Sequence, residues 1–182
     1  YVLWLDYDSV LSEFMLKDLS LAATKLSAGS ILLVTVDTEP PGTEQVGKHI
    51  SKHYYDASTV RQYFEKVAEM YVRPNRGDDE FKYEDLYAVN LRAIMGAIKA
   101  GESGRHPDDP QFRPLFNFEY ADGHRMLTAG GIILSGADYA TLKKSRLGKT
   151  SYVRWNFADP PYRICVPSLS RREQLYLDQH MP

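Results

Sequence analysis

The sequence predicts a mixed α/β fold in which parallel strands end in an antiparallel hairpin. Tyr1 to Leu5 and Ile31 to Val36 are continuous apolar runs of strand length, the pattern of parallel strands buried on both faces. Between them, Leu11, Met15, Leu19, Ala22 and Leu26 recur at helical spacing, so strand, helix and strand describe a parallel βαβ unit. Further on, two extended segments flank Ala121-Asp122-Gly123-His124, and Asp-Gly is a strong hairpin turn.

The elements follow in order. Tyr1 to Leu5 delivers Asp6-Tyr7-Asp8 to the strand's carboxyl end, where open α/β sheets place their ligands. Ser9 is placed to cap the next helix, and Ala28-Gly29 ends it. The strand Ile31 to Val36 also ends in an acid, Asp37, and Thr38-Glu39-Pro40-Pro41-Gly42 then opens a long polar loop. Val60, Tyr63, Phe64, Val67, Ala68 and Tyr71 form a helical stripe, with Thr59 and Gln62 as a capping box. After a linker from Pro74 to Asp79, Tyr87, Leu91, Ile94 and Ile98 make another helix, stopped by Gly101. Gly101 to Pro110 reads as a loop. Phe112 to Tyr120 alternates, with Phe116, Phe118 and Tyr120 on one face, and Met126 to Leu134 is its hairpin partner. Gly130-Gly131 within that strand marks either a close approach or a bulge. Tyr162 to Val166 is a further short strand, and Ser170 with Glu173 caps a last helix. The first strand is expected at a sheet edge although it is apolar on both faces. Exposed edges of that kind are avoided, so a covering segment upstream is expected.

Bulk properties narrow the function. The chain has 182 residues, 43% hydrophobic and 25% charged, which suits one soluble domain. A net charge of -2 gives no basic field for nucleic acid. No apolar stretch approaches the roughly 20 residues of a membrane helix. Cys165 is the single cysteine, which excludes an intrachain disulfide and points to a reducing, cytoplasmic setting. The expected partner is a small-molecule substrate, with no membrane involved; nothing fixes an oligomeric state.

Asp6 and Asp8 are two apart on an extended chain, so both carboxylates point the same way and can share a ligand, a cation or a proton. The plainer reading is a strand end that caps the following helix. The five histidines show no metal-ligand spacing; His49 and His53 are four apart but lack an accompanying acid pattern. No metal site is expected. Asp159-Pro160-Pro161-Tyr162 matches a motif of amino-group methyltransferases, yet it follows a mixed lead-in and reads as a Pro-rich turn.

Two family resemblances follow from these residues. Val2-Leu3-Trp4-Leu5-Asp6-Tyr7-Asp8 resembles the first motif of the haloacid dehalogenase-like phosphatases, which would imply a Mg²⁺-dependent phosphatase. Ser9 stands where that family has Gly, and no later apolar strand ends in paired acids. The ordered set Leu3 to Asp8, Gly29 to Val36, and Tyr120-Ala121-Asp122-Gly123 with Met126-Leu127-Thr128 and Gly130-Gly131 resembles an uncharacterised bacterial O-methyltransferase family. That resemblance implies a Rossmann-like methyltransferase sheet dependent on S-adenosylmethionine. It makes residues 1–182 the C-terminal half of one domain, with the fourth to seventh strands present and the cofactor's Gly-rich turn upstream. It also implies roles: Asp6 as general base, Asp8 as its helper, Tyr7 as a wall for the cofactor, and Thr35 and Asp37 lining the substrate crevice. The expected activity is methyl transfer to a hydroxyl or similar nucleophile. A scaffold that kept this fold without the chemistry is the alternative.

Overall fold

The computed structural model describes residues 1–42, 56–69, 71, 77–106, 108–165 and 170–180. Its elements are β1 (Val2–Val10), α1 (Glu13–Lys25), β2 (Ile31–Asp37), α2 (Ala57–Val67), α3 (Leu86–Glu102), β3 (Gln111–Asp122), β4 (His124–Leu134), α4 (Gly136–Lys144), β5 (Tyr162–Ile164) and α5 (Arg171–His180). Short 3₁₀ turns at Asp78–Phe81 and Tyr83–Asp85 lead into α3. The five strands form one sheet in the order β1-β2-β4-β3-β5. β1 and β2 are parallel, β2–β4 and β4–β3 antiparallel, and β5 parallel to β3. The mixed α/β architecture is therefore as expected, with β1 at the edge.

Register sorts the side chains onto two faces. Leu3 and Leu5 pair with Leu32 and Val34, which pair with Gly131 and Ala129. This face carries α1 and α3. Met15, Leu16 and Leu19 of α1 and Ile94, Ala97 and Ile98 of α3 join Leu32, Val34, Val36, Leu127 and Ile133 in one buried core. Each fully buried aliphatic side chain contributes about 1.5–3 kcal/mol against exposure. α2 adds Val60 and Phe64 to that core, and the Tyr63 hydroxyl donates to the Leu11 carbonyl at 2.9 Å. The opposite face carries Trp4 and Asp6, then Leu33, Thr35 and Asp37, then Thr128 and Met126, then Phe118 and Tyr120.

Several boundaries differ from expectation. β1 does not stop at Leu5. It runs to Val10, because alternate exposure continues through Asp6, Tyr7 and Asp8 until Val10 and Leu11 are buried. Ser9 lies inside the strand, and the N-cap of α1 is Ser12. α1 ends at Lys25, and Gly29 instead serves the next turn with φ +81°. The cap of α2 is Asp56, whose carboxylate accepts from the Ser58 and Thr59 amides. α3 continues through Gly101 to Glu102. Thr24 Oγ1 donates to the Gly101 carbonyl at 3.0 Å, so this glycine marks a helix crossing rather than a helix stop. Arg105 then fans onto the carbonyls of Ala23, Thr24 and Leu26 at the C-terminus of α1, where a cation suits the helix dipole. α4 is an addition to the expected elements.

Both readings of Gly130-Gly131 hold. A Cβ at Gly130 would stand 2.3 Å from the Leu32 carbonyl oxygen, and one at Gly131 would stand 2.1 Å from that of Arg113. The register of β3 slips between Pro114 and Phe116, directly across from them. The hairpin turn falls at Gly123, φ +75°. Asp159-Pro160-Pro161-Tyr162 is a turn into β5: Asp159 accepts from the Asn156 amide, and the Pro160 carbonyl accepts from Arg154. His49, His53, the linker from Pro74 to Arg76, and Val166 lie outside the described residues, as does the Glu173 side chain.

The α1–α3 crossing is tight enough to test. A Cβ at Gly101 would lie 2.1 Å from the Ser20 carbonyl oxygen, and backbone does not give way as a flexible side chain does. Gly101→Ala is expected to cost about 1–3 kcal/mol, lowering Tm by several degrees. Gly104→Ala, where a Cβ meets open space, should change stability by less than about 0.5 kcal/mol. Thermal melts of the two variants check this.

Candidate functional site

The carboxyl ends of β1 and β2 lie side by side, because the strands are parallel and adjacent. Asp6 pairs with Thr35 across them. Asp6 and Asp8 are exposed and share the face opposite the helices. Tyr7 points the other way. Its hydroxyl donates to Asp18 at 2.9 Å, and its ring meets Phe14 edge-on at 6.1 Å. Burial and then the Asp18 bond push the Tyr7 phenol up to about 12. The sheet thus separates Tyr7 from the two acids it sits between in sequence.

Thr35 is buried on the acids' face. Its Oγ1 accepts from Trp4 Nε1 at 2.9 Å and lies 2.9 Å from Thr128 Oγ1 on β4. Asp37, two residues on, shares this face. Burial holds its carboxyl above the usual carboxylate range, and Glu39 and Asp8 push the same way. The Glu39 amide, donating at 2.6 Å, and nearby His124 act in the opposite sense. A partly buried carboxylate whose pKa is raised holds a proton more readily than a free one, as a general base must.

A second polar group borders the acids. Glu39 is only 7% exposed, and its Oε1 accepts from the Tyr83 hydroxyl at 3.1 Å and the Arg125 amide at 3.2 Å. The Arg125 guanidinium lies over the Tyr83 ring at 4.8 Å and donates to the Tyr83 carbonyl at 2.7 Å. Glu119 lies 3.5 Å from Arg125 and 2.9 Å from Arg163. Thr38 donates to the Arg125 carbonyl through its amide and its hydroxyl. This group ties the loop after β2 to the β3–β4 hairpin and fixes the wall beyond Asp37. These residues stand outside the set the sequence predicts, and their only local signal is the Glu39-Pro40-Pro41 break.

A cavity of about 620 Å³ opens on the far side of α3, lined by Phe81, Val89, Arg92, Met95, Lys99 and Phe157 among others. Arg92 is held there by Glu80 at 3.0 Å. Asp6, Asp8 and Asp37 do not line it. Among the described residues no three His, Cys, Asp or Glu side chains converge as a metal-binding group. No helix among them is long and apolar enough to cross a membrane.

The raised Asp37 pKa has a consequence for stability. A carboxyl whose folded pKa exceeds its unfolded value of 3.8 destabilises the folded state once ionised. That penalty is complete above the folded pKa and vanishes below the unfolded one. Asp37→Asn keeps an oxygen for the Glu39 amide and removes the charge. Urea unfolding near neutrality should therefore show a gain of less than about 1 kcal/mol, since the group is half-exposed. The gain should disappear below pH 3.8.

No curated protein and no solved structure matches the chain. A family model does match, over residues 1–182, the whole length; its description is "Putative O-methyltransferase". The mixed five-stranded α/β sheet is consistent with that match, and the chain belongs to this O-methyltransferase family.

Proposed function

We propose that the protein transfers a methyl group from S-adenosylmethionine to a hydroxyl or similar nucleophile, at the carboxyl ends of β1 and β2. The observation that carries this reading is Asp37, a half-buried carboxylate of raised pKa at the end of a central strand. The neighbouring residues fit the cofactor chemically. Asp6 and Asp8 offer negative charge toward a sulfonium and an ammonium group, and the exposed indole of Trp4 offers an apolar surface beside them. S-adenosylmethionine, when bound, supplies an electrophilic methyl group. Asp37, in place of the Asp6 that the resemblance implied, accepts the proton that the acceptor hydroxyl loses as its oxygen gains the methyl, since burial raises the Asp37 pKa. Asp6 and Asp8 face the cationic groups of the cofactor. The Glu39–Tyr83–Arg125 group keeps the wall beyond Asp37 rigid.

On this reading the chain is the C-terminal part of the catalytic sheet, and further strands pair onto β1. Tyr1, Val2 and Trp4 on that edge are 91%, 69% and 57% exposed. A groove of about 480 Å³ runs beside it between Leu3, Leu5, Leu21 and Leu26. Large apolar surfaces of this kind mark interaction sites.

Methyl transfer by the full-length protein, followed with methyl-labelled S-adenosylmethionine and a panel of hydroxyl compounds, tests the proposal. Asp37→Asn should lower kcat by about a hundred- to ten-thousandfold and leave cofactor binding intact. An unchanged rate in that variant, or no transfer to any acceptor, contradicts it.

A further inference from the structure

A chain of hydrogen bonds crosses four strands on the acids' face. It runs from Trp4 Nε1 to Thr35 Oγ1 at 2.9 Å, from Thr35 to Thr128 Oγ1 at 2.9 Å, and from Thr128 to the Tyr120 hydroxyl at 3.3 Å. Heavy-atom distances alone leave the two hydroxyl links without a direction. The indole at one end supplies it.

An indole N–H only donates, so Thr35 must accept from Trp4. Thr35 is 2% exposed and keeps a single proton of its own. The one acceptor the described residues offer that proton is Thr128 Oγ1. A reversed link would leave a buried hydroxyl proton unbonded, which is costly away from water. Thr35 therefore donates to Thr128. The same reasoning carries the next step, since Thr128 is also buried and its remaining neighbour is Tyr120. The row is polarised from Trp4 toward Tyr120. The Tyr120 hydroxyl already accepts, and its own proton faces no acceptor among the described residues.

The surroundings of that proton are specific. Tyr120 pairs with Met126, and Met126 pairs with Asp37, so the phenol and the proposed base occupy one face two strands apart. Behind Tyr120 the same face of β3 carries Phe118 and Phe116, with ring centres 5.7 Å apart. Tyr162 of β5 meets Phe118 edge-on at 6.1 Å. All three rings are partly exposed. A planar ring has a surface on which to stack, next to one outward donor.

We infer that Tyr120 is a positioning residue: its hydroxyl donates to an oxygen of an aromatic hydroxyl substrate whose ring lies on Phe116, Phe118 and Tyr162. This rests on the proposed methyl transfer at Asp37 and narrows its substrate class. Tyr120 orients the ring so that a hydroxyl faces Asp37; it takes no proton itself.

The test compares 4-hydroxybenzamide with benzamide, probes that differ by the hydroxyl alone, binding to the full-length protein by calorimetry. The wild type should favour 4-hydroxybenzamide by about fivefold, the worth of one hydrogen bond. Tyr120→Phe should reduce that ratio to near unity while still binding benzamide. Thr128→Ser, which keeps the relaying hydroxyl, should retain the ratio, whereas a merely structural tyrosine would leave it unmoved in every variant. Equal binding of the two probes by the wild type, no binding of either, or an unchanged ratio in Tyr120→Phe overturns the inference. Methyl transfer that proceeds with such an unchanged ratio removes the role of Tyr120 alone. A ratio that collapses as expected in a protein without methyl transfer keeps the aromatic subsite and removes the catalytic reading.

Discussion

The structure depends on β2 being paired on both sides. Its left neighbour runs parallel and its right neighbour antiparallel, and both registers are set along Ile31–Asp37. A slip of one residue on either side would turn every side chain to the other face. Leu32, Val34 and Val36 would then leave the core beneath α1 and α3, and Thr35 and Asp37 would enter it. Burial of the aliphatic set therefore fixes the register, and the register places the polar set. Asp6, Thr35, Asp37 and Thr128 share one face because their neighbours are committed to the other.

The core and the site are thus built by the same constraint. The close approaches at Gly101, Gly130 and Gly131 serve it: one lets α3 cross α1 against backbone, and the others let β3 and β2 close on β4. Arg105 and the Glu39–Tyr83–Arg125 group then tie the loops down at opposite ends of the sheet. At the carboxyl end this leaves Asp37 as a half-buried carboxylate whose pKa burial raises.

Features that arise from neighbours in the chain were legible. The apolar run of β2, the helical stripes of α2 and α3, and the Asp122-Gly123 turn all announced themselves locally, and the antiparallel end of the sheet followed from that turn. β1 was read too short because Asp6, Asp8 and Ser9 interrupt its apolar run; an edge strand tolerates them since alternate residues face solvent. α4 was missed because none of its residues is buried, so it carries no apolar stripe. The Glu39 bonds to Tyr83 and Arg125 join residues 44 and 86 positions apart, and only the folded register brings them together. Of the acids, Asp6 and Asp8 were conspicuous as a pair, while the raised pKa of Asp37 comes from burial that sequence spacing does not encode.

Amide hydrogen exchange of the full-length protein, with and without saturating S-adenosylmethionine, tests the location of the site most directly. The account predicts slowed exchange in the segments around Asp6 to Ser12 and Asp37 to Glu39, at the carboxyl ends of β1 and β2. Unchanged exchange there, or protection confined to the cavity beyond α3 around Arg92 and Lys99, would contradict it.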